Sequence, residues 1–397
     1  MNLKTLSRKV ARRYTMFLGK LPINKKYRPL GVKKLLPISD DSIEYVEIRP
    51  PYVSTLNFTN QFVSDCSDFS KPEMSAQIPG DYVAILKDGR VYSYDPSNTA
   101  IIAKDNYLIE ELCFQWSRDR DQLGEASENL VFTRKGLTKP KKFKGTVFSL
   151  LGGGGAKYYY YHWMIDSLAR LGLLKESGRF DQVNYFLVPE YSAKYHKETL
   201  AHFGISEDKI INEEFAPHIQ ADFLIVTSFT QVKFHHPKWV CDFLHDSFTV
   251  RKEGKKRDKL IYIPRGDAAV NRRVLNETEL IAVLKGYGFD TRNLSDMEIT
   301  EEAEYFNSAK LVLGAQGSGF TNLVFCEPGT KVVQFFPDKY VRHIDYDISN
   351  KMALDYHYLL CESVGEAHDT VEGQKIDLIA DIPAIQSTIE LLLNQKA

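Results

Sequence analysis

The sequence predicts an α/β fold in two halves, with a β-rich portion ahead of the first. Three observations carry this expectation. At 397 residues the chain exceeds the roughly 250–300 residues at which single cores stop growing. From Thr146 onward, short apolar runs alternate with stretches of helical periodicity, the order that builds layered α/β domains. Between two such series lies Arg251–Lys259, a charged, apolar-free, glycine-containing stretch that reads as a linker.

The N-terminus is the most unusual segment in charge. Its first 34 residues hold eleven Lys or Arg and no acid, so a net charge of −1 conceals 40 basic against 52 acidic residues downstream. On a helical wheel Leu3, Leu6, Val10, Tyr14, Phe17, Leu18 and Leu21 share an arc of about 120°, with the cations outside it. That pattern predicts a basic amphipathic helix suited to an anionic lipid surface. Nucleic acid fits less well, because no basic and aromatic interleaving continues.

From about Ile43 to Lys144 the chain reads as short strands and turns, such as Tyr82–Lys87 followed by Asp88-Gly89. Thr146–Leu151 then predicts a strand, Tyr158–Leu174 a helix, and Val183–Val188 and Ala221–Thr227 further strands. After the linker come a strand at Leu260–Pro264 and a helix at Glu277–Lys285, capped by Asn276 with Glu279 three residues later. Residues 301–309 predict a helix, Leu311–Gly314 and Lys331–Phe336 strands, and Ile382–Asn394 a closing helix with Asp381 as its cap. The expected domains are therefore residues 1–35, 36–250, 251–360 and 361–397.

Bulk properties exclude several classes. Apolar residues make up 43%, aromatics 12%, and the mean hydropathy is −0.31, as in ordinary globular chains. No apolar run approaches the ~18 residues of a membrane span, and no apolar signal core follows the basic start. Cys66, Cys113, Cys241, Cys326 and Cys361 stand singly, a usage that fits a reducing cytoplasm.

Three clusters are able to carry chemistry. The first is the glycine run Gly152–Gly155 with Ala156 and Lys157, leading into Tyr161-His162-Trp163 and Asp166. It lacks the Gly-Lys-Ser/Thr of a P-loop. On the helix that follows, Met164, Leu168 and Leu171 form a core stripe, while His162 and Asp166, four apart, face away from it. A carboxylate there is placed to take a proton from a hydroxyl, with the imidazole steadying it. The second cluster is Arg265-Gly266-Asp267 with Arg272 and Arg273 after a strand, guanidinium forks suited to a diphosphate. The third runs Gly314-Ala315-Gln316-Gly317-Ser318-Gly319 into Thr321 and Asn322, a small-residue loop whose backbone N–H groups suit an anion. The DxD matches Asp119/Asp121 and Asp345/Asp347 are isolated, and no metal is expected.

The order HWxxD, YIPRxDAxxxRRVLNExEL and FxxAKLVLGxxGxGxTNLVFxxPGTKVV, across about residues 145–345, resembles glycosyltransferase family 61. That family includes bacterial capsular polysaccharide enzymes, plant xylan-decorating transferases and EGF-domain O-linked GlcNAc transferases. The resemblance implies a GT-B fold of two Rossmann-like domains facing a cleft, an inverting mechanism, no cofactor beyond a nucleotide-sugar co-substrate, and a donor site in the C-terminal half. It implies Asp166 as catalytic base beside His162. It implies Arg265 and Arg273 on the donor phosphates, with Gln316, Gly317, Ser318, Gly319, Thr321 and Asn322 cradling the nucleotide. Tyr161, Trp163 and His236 are expected on the acceptor side. The carboxylate and the guanidinium groups are expected to converge across the shared crevice. The family usually has His at position 316 and Glu at 334, where this chain has Gln316 and Gln334.

The expected function is transfer of a sugar to a hydroxyl of a capsular or exopolysaccharide glycan, free or lipid-linked, by a cytoplasmic enzyme peripheral to the inner face of the cell membrane through residues 1–34. The alternative is a catalytically silent glycan-binding or scaffold subunit of a polysaccharide assembly complex. A glycoside hydrolase would need two facing carboxylates, and only Asp166 has a defined place.

Overall fold

The structure, a computed structural model, describes residues 21, 24–38, 41–95, 97–117, 122–152, 158–250, 256–265 and 271–394. The expected amphipathic helix, most of the glycine run, Asp119 and Asp121, residues 251–255 of the expected linker, and Asp267 lie outside the described residues. Two compact units form: residues 1–52 with 78–230, and residues 53–77 with 231–397.

The first unit is built on a mixed sheet whose centre is parallel. Strand Lys141–Ser149 runs parallel to Tyr185–Val188 on one side and to His218–Thr227 on the other, and Ile210–Asn212 extends the first side. The chain therefore leaves Lys141–Ser149 in one direction and returns to its opposite flank, which makes a topological switch point between Lys141–Ser149 and His218–Thr227. The antiparallel strands Asp81–Lys87 and Arg90–Asp95 pair with His218–Thr227 and carry the expected β-rich portion. Val147, Leu187, Ile219, Leu224, Val91 and Ile101 bury one continuous core. That burial, non-local in sequence, holds the switch-point strands in register.

The second unit is a five-stranded sheet in sequence order: Lys259–Ile263, Ala309–Ala315, Lys331–Pro337 and Asp355–Val364 are parallel, and Asp377–Ile379 closes the edge antiparallel. Helices Glu277–Gly286 and Ile382–Asn394 bury Leu280, Leu284, Ile385, Ile389 and Leu392 against Tyr262, Leu313, Val333 and Phe335. Asp381 caps the last helix as expected, its Oδ1 accepting from Ala384 N at 3.0 Å. Asn276 does not cap its helix. Its amide instead exchanges two hydrogen bonds with the Ala380 backbone, tying the helix start to the terminal segment.

Two expectations on organisation differ from the units observed. Residues 53–77 belong to the second unit, because Phe58 and Phe62 pack into an aromatic cluster with Phe336, Tyr346 and Tyr358. The division falls after Thr230, and helix Lys238–Phe248 goes with the second unit. Both follow from long-range apolar contacts that leave no periodic signature. Among the described residues no helix is long and apolar enough to cross a membrane, and all five cysteines are buried free thiols.

Candidate active site

Ligands of open parallel sheets gather outside the carboxyl ends of the strands at a switch point. In the first unit that place is occupied by the segment following Ser149. Gly152 is required there, because a Cβ would fall 2.1 Å from Arg170 Nε. The expected Tyr158–Leu174 helix is observed in three pieces: an α-turn at Tyr160–His162, a π-helix at Trp163–Leu168 and an α-helix at Arg170–Glu176.

The π-turn has a visible cause. Thr230 Oγ1 donates to the Ile165 carbonyl at 2.7 Å and Arg170 Nε to the Asp166 carbonyl at 2.9 Å. With Ile165's carbonyl engaged from outside, Ala169 N turns to Met164 O at 3.1 Å, an i→i+5 bond. Such a widened turn brings residues four apart close to superposition. His162 Nδ1 and Asp166 Oδ2 are accordingly 2.6 Å apart.

The pair differs from the expected exposed one in burial. Asp166 is 5% exposed, inside a segment buried from Trp163 to Leu168, whereas the His162 side chain keeps 30% of its surface. A histidine that donates Nδ1–H to a buried carboxylate presents Nε2 as an acceptor. Arg170 closes the group from within, its Nη1 donating to Thr227 O and Oγ1 at 3.2 and 3.1 Å. Burial lowers this guanidinium to about 10, with the Asp166 charge acting the other way, so it is a cation at neutral pH.

The residues expected on the acceptor side are placed as follows. Tyr161 is buried, with its ring edge-on to His162 at 5.1 Å. Trp163 is fully buried, donating Nε1–H to Thr199 Oγ1 at 3.0 Å and packing on His196 at 4.5 Å, so its indole is a core group rather than a surface for a sugar. His236 belongs to the second unit and is also fully buried, its N and Nδ1 both donating to Asp347 Oδ2 at 2.9 and 2.8 Å. Tyr159, not singled out from the sequence, is 55% exposed with its ring 6.2 Å from that of His162. Only its position in the tyrosine run could have pointed to it.

In the second unit the carboxyl ends of the parallel strands bring together Arg265 and the 316–322 loop. Arg265 Nε and Nη2 donate to the carbonyls of Arg272 and Asn271 at 3.1 and 2.7 Å, and its backbone N to Glu277 Oε1 at 2.7 Å. Its remaining nitrogen, Nη1, lies where a Cβ on Gly317 would come within 2.0 Å, so only glycine admits it. Burial first, then the Arg272 charge, lowers Arg265 to about 10, which leaves it ionised.

Beside Arg265, Gln316 Oε1 and Thr321 Oγ1 are buried without a partner. The turn Ser318–Phe325 is a 3-10 helix, and the N–H groups of Ser318 and Gly319 at its start find no acceptor among the described residues. Asn322 is turned inward, its Nδ2 donating to Glu302 Oε2 at 3.0 Å. Arg273 is directed elsewhere: its Nη2 pairs with Asp377 Oδ2 at 2.6 Å and its backbone N with Oδ1 at 2.7 Å.

Gln334 is an interior group. Its Nε2 donates to Asp345 Oδ2 at 2.6 Å and its Oε1 accepts from Tyr356 OH. Burial pushes Asp345 up to about 6, partly offset by the Gln334 bond. An amide serves both neighbours because it donates and accepts at once; a second carboxylate there would need a shared proton. Asp345 and Asp347 are thus engaged internally, and among the described residues no group of three or more His, Cys, Asp or Glu is arranged to hold a metal.

The class so defined is an α/β protein with an acid–imidazole pair at a sheet switch point in one unit and a buried cation with open backbone amides in the other. Residues 160–333, which hold all of these groups, match the model of the family Glycosyltransferase 61. Over 110 residues it is 28% identical to the beta-1,2-xylosyltransferase RCN11 of Oryza sativa subsp. japonica, a stretch that covers 26% of this chain. The match spans 21% of the relative's length.

Proposed function

We propose that this protein is an inverting glycosyltransferase that moves a sugar from a nucleotide-sugar donor to a hydroxyl of a capsular or exopolysaccharide acceptor. The observation that carries the reading is the 2.6 Å His162–Asp166 pair at the switch point of the first unit, within the family's stretch. The acceptor O–H gives its proton to the pair as its oxygen bonds to the anomeric carbon. The bond to the nucleotide diphosphate breaks with its electron pair, and one displacement inverts the centre.

Exposure favours a division of roles different from that implied by the resemblance. His162 Nε2 receives the proton, and Asp166 orients the ring and stabilises its cation. In the second unit the reading assigns the diphosphate to Arg265 Nη1, Gly317, Ser318 and Gly319, and donor hydroxyls or base to Gln316 and Thr321. Arg273 and Asn322 support that loop through Asp377 and Glu302. The two units are taken as the halves of a GT-B enzyme. A diphosphate neutralised by guanidinium and amides needs no metal, so transfer should survive EDTA. Residues 1–34 are taken as a contact to the inner face of the cell membrane.

Asp166→Asn and His162→Gln test the reading against a panel of nucleotide sugars. Each is expected to lower transfer by about 10²-fold or more while nucleotide affinity stays within a few fold. Full turnover in either variant removes the assignment. Nucleotide binding without transfer to any acceptor would instead favour the silent glycan-binding subunit.

A further inference from the structure

The connection between the β-rich strands and strand Lys141–Ser149 carries Arg134, Lys135, Lys139, Lys141, Lys142 and Lys144 in eleven residues with no acid. The five lysines are exposed, and among the described residues none of them forms an ion pair. Strand Tyr185–Val188 meets its neighbour only from Val147 onward, so Lys141–Lys144 extends beyond that partner. Lys141 lies over the Phe143 ring at 5.2 Å.

A second basic stretch is folded against the first. Arg28 Nη2 donates to Phe132 O at 3.1 Å, and Arg90 Nη1 donates to Tyr27 O at 3.0 Å and to His218 Nε2 at 3.2 Å. The same His218 donates Nδ1–H to Thr138 O at 2.5 Å. These bonds fasten Lys25, Lys26 and Arg28 beside the 132–138 segment that leads into the lysine run. Leu30, two residues past Arg28, is 69% exposed, and Leu36 is 46% exposed.

We propose that this face of the first unit, centred on Lys135, Lys139, Lys142 and Lys144, docks on an anionic lipid bilayer. The inference extends the contact proposed for residues 1–34 to the folded body and does not depend on the catalytic assignments. Clustered cations alone would suit any polyanion. The exposed Leu30, two residues past the Arg28 that is tied to Phe132, favours a bilayer, because a soluble polyanion offers no apolar phase, whereas the headgroup and acyl boundary offers both. The apolar residues of 3–21, which recur at helical spacing in the sequence leading to Lys25, add to the same preference.

The test is flotation of the full chain with phosphatidylcholine vesicles, with and without phosphatidylglycerol, comparing the parent with the variant Lys135→Gln, Lys139→Gln, Lys142→Gln, Lys144→Gln. These side chains are exposed and form no ion pair among the described residues, so an unchanged melting temperature is expected and serves as the check on folding. A cation at an anionic surface is worth roughly fivefold in partition, so the variant should bind phosphatidylglycerol vesicles at least about tenfold more weakly. The parent's binding should also fall in high salt. Partition of the variant within twofold of the parent overturns the proposal. So does a parent that ignores both vesicles but binds a soluble polyanion such as heparin through the same lysines. Transfer to a soluble acceptor is expected to be equal in both proteins, so a failed docking face and a failed enzyme reading give different results.

Discussion

His162 and Asp166 show how burial sorts two titratable groups that the sequence could only place side by side. Their spacing of four suggested a pair, and the 2.6 Å contact bears that out. Which of them meets solvent depends on the turn beneath, and that is set by Thr230 and Arg170. Gly152 shows the same dependence from the other side. As part of a glycine run it reads as a flexible loop, yet its need is steric: the Arg170 guanidinium fills the space of a side chain. Gly152→Ala should therefore displace Arg170 and destabilise the first unit by about 1–3 kcal/mol, read as a lower urea midpoint. A variant as stable as the parent would mean that Arg170 moves at no cost.

Among the elements, the π-helix Trp163–Leu168 is the one that helical periodicity could not foresee, since a 3.6-residue period assumes that every carbonyl is served from within the helix. Here Ile165's carbonyl is served by a residue 65 positions away. Thr230→Val removes that donor. It should cost about 1–3 kcal/mol for an unsatisfied buried carbonyl and lower the transfer rate while nucleotide affinity is unchanged. Circular dichroism melts and single-turnover rates check the two halves, and an unaltered rate would detach the π-turn from catalysis. The strands Tyr185–Val188 and Lys331–Pro337 lie within a few residues of the sequence expectation, because a buried parallel strand is an apolar run in its own right, whereas Lys141–Ser149 begins five residues before the expected Thr146, in a lysine-rich stretch that carries no apolar run. Helices Lys194–His202 and Ile344–Lys351 escaped it. Both carry polar residues on most of their surface and bury only a few positions.

At the scale of the whole molecule, a buried histidine gives stability an acid sensitivity. His218 is enclosed, donating to Thr138 O and accepting from Arg90, and burial together with the Arg90 charge lowers its ring to about 3. The folded chain refuses a proton that the unfolded chain accepts near pH 6.5. The stability involved is intact above pH 6.5 and is lost as pH falls from 6.5 toward 3, at about 1.4 kcal/mol per pH unit. His218→Gln keeps one donor and one acceptor without a titrating ring. The parent should therefore lose ground to this variant on acidification from pH 6.5 to 4 in paired urea titrations. A constant difference across that range would show that His218 is protonated in the folded state.

What the sequence determined by itself was whatever local pattern suffices for: an α/β chain with a β-rich start, the strands that end in small or basic loops, the three motifs of the family, and the pairing of His162 with Asp166. What tertiary structure alone decided was the use of those residues. It made Trp163 and His236 interior groups, placed Arg273 on Asp377, made Gln334 a bridge between Asp345 and Tyr356, and took residues 53–77 into the second unit. The physical reason is range. Periodicity and motif spacing report on neighbours along the chain, whereas burial and hydrogen-bond satisfaction are settled by groups that meet only after the sheets have formed.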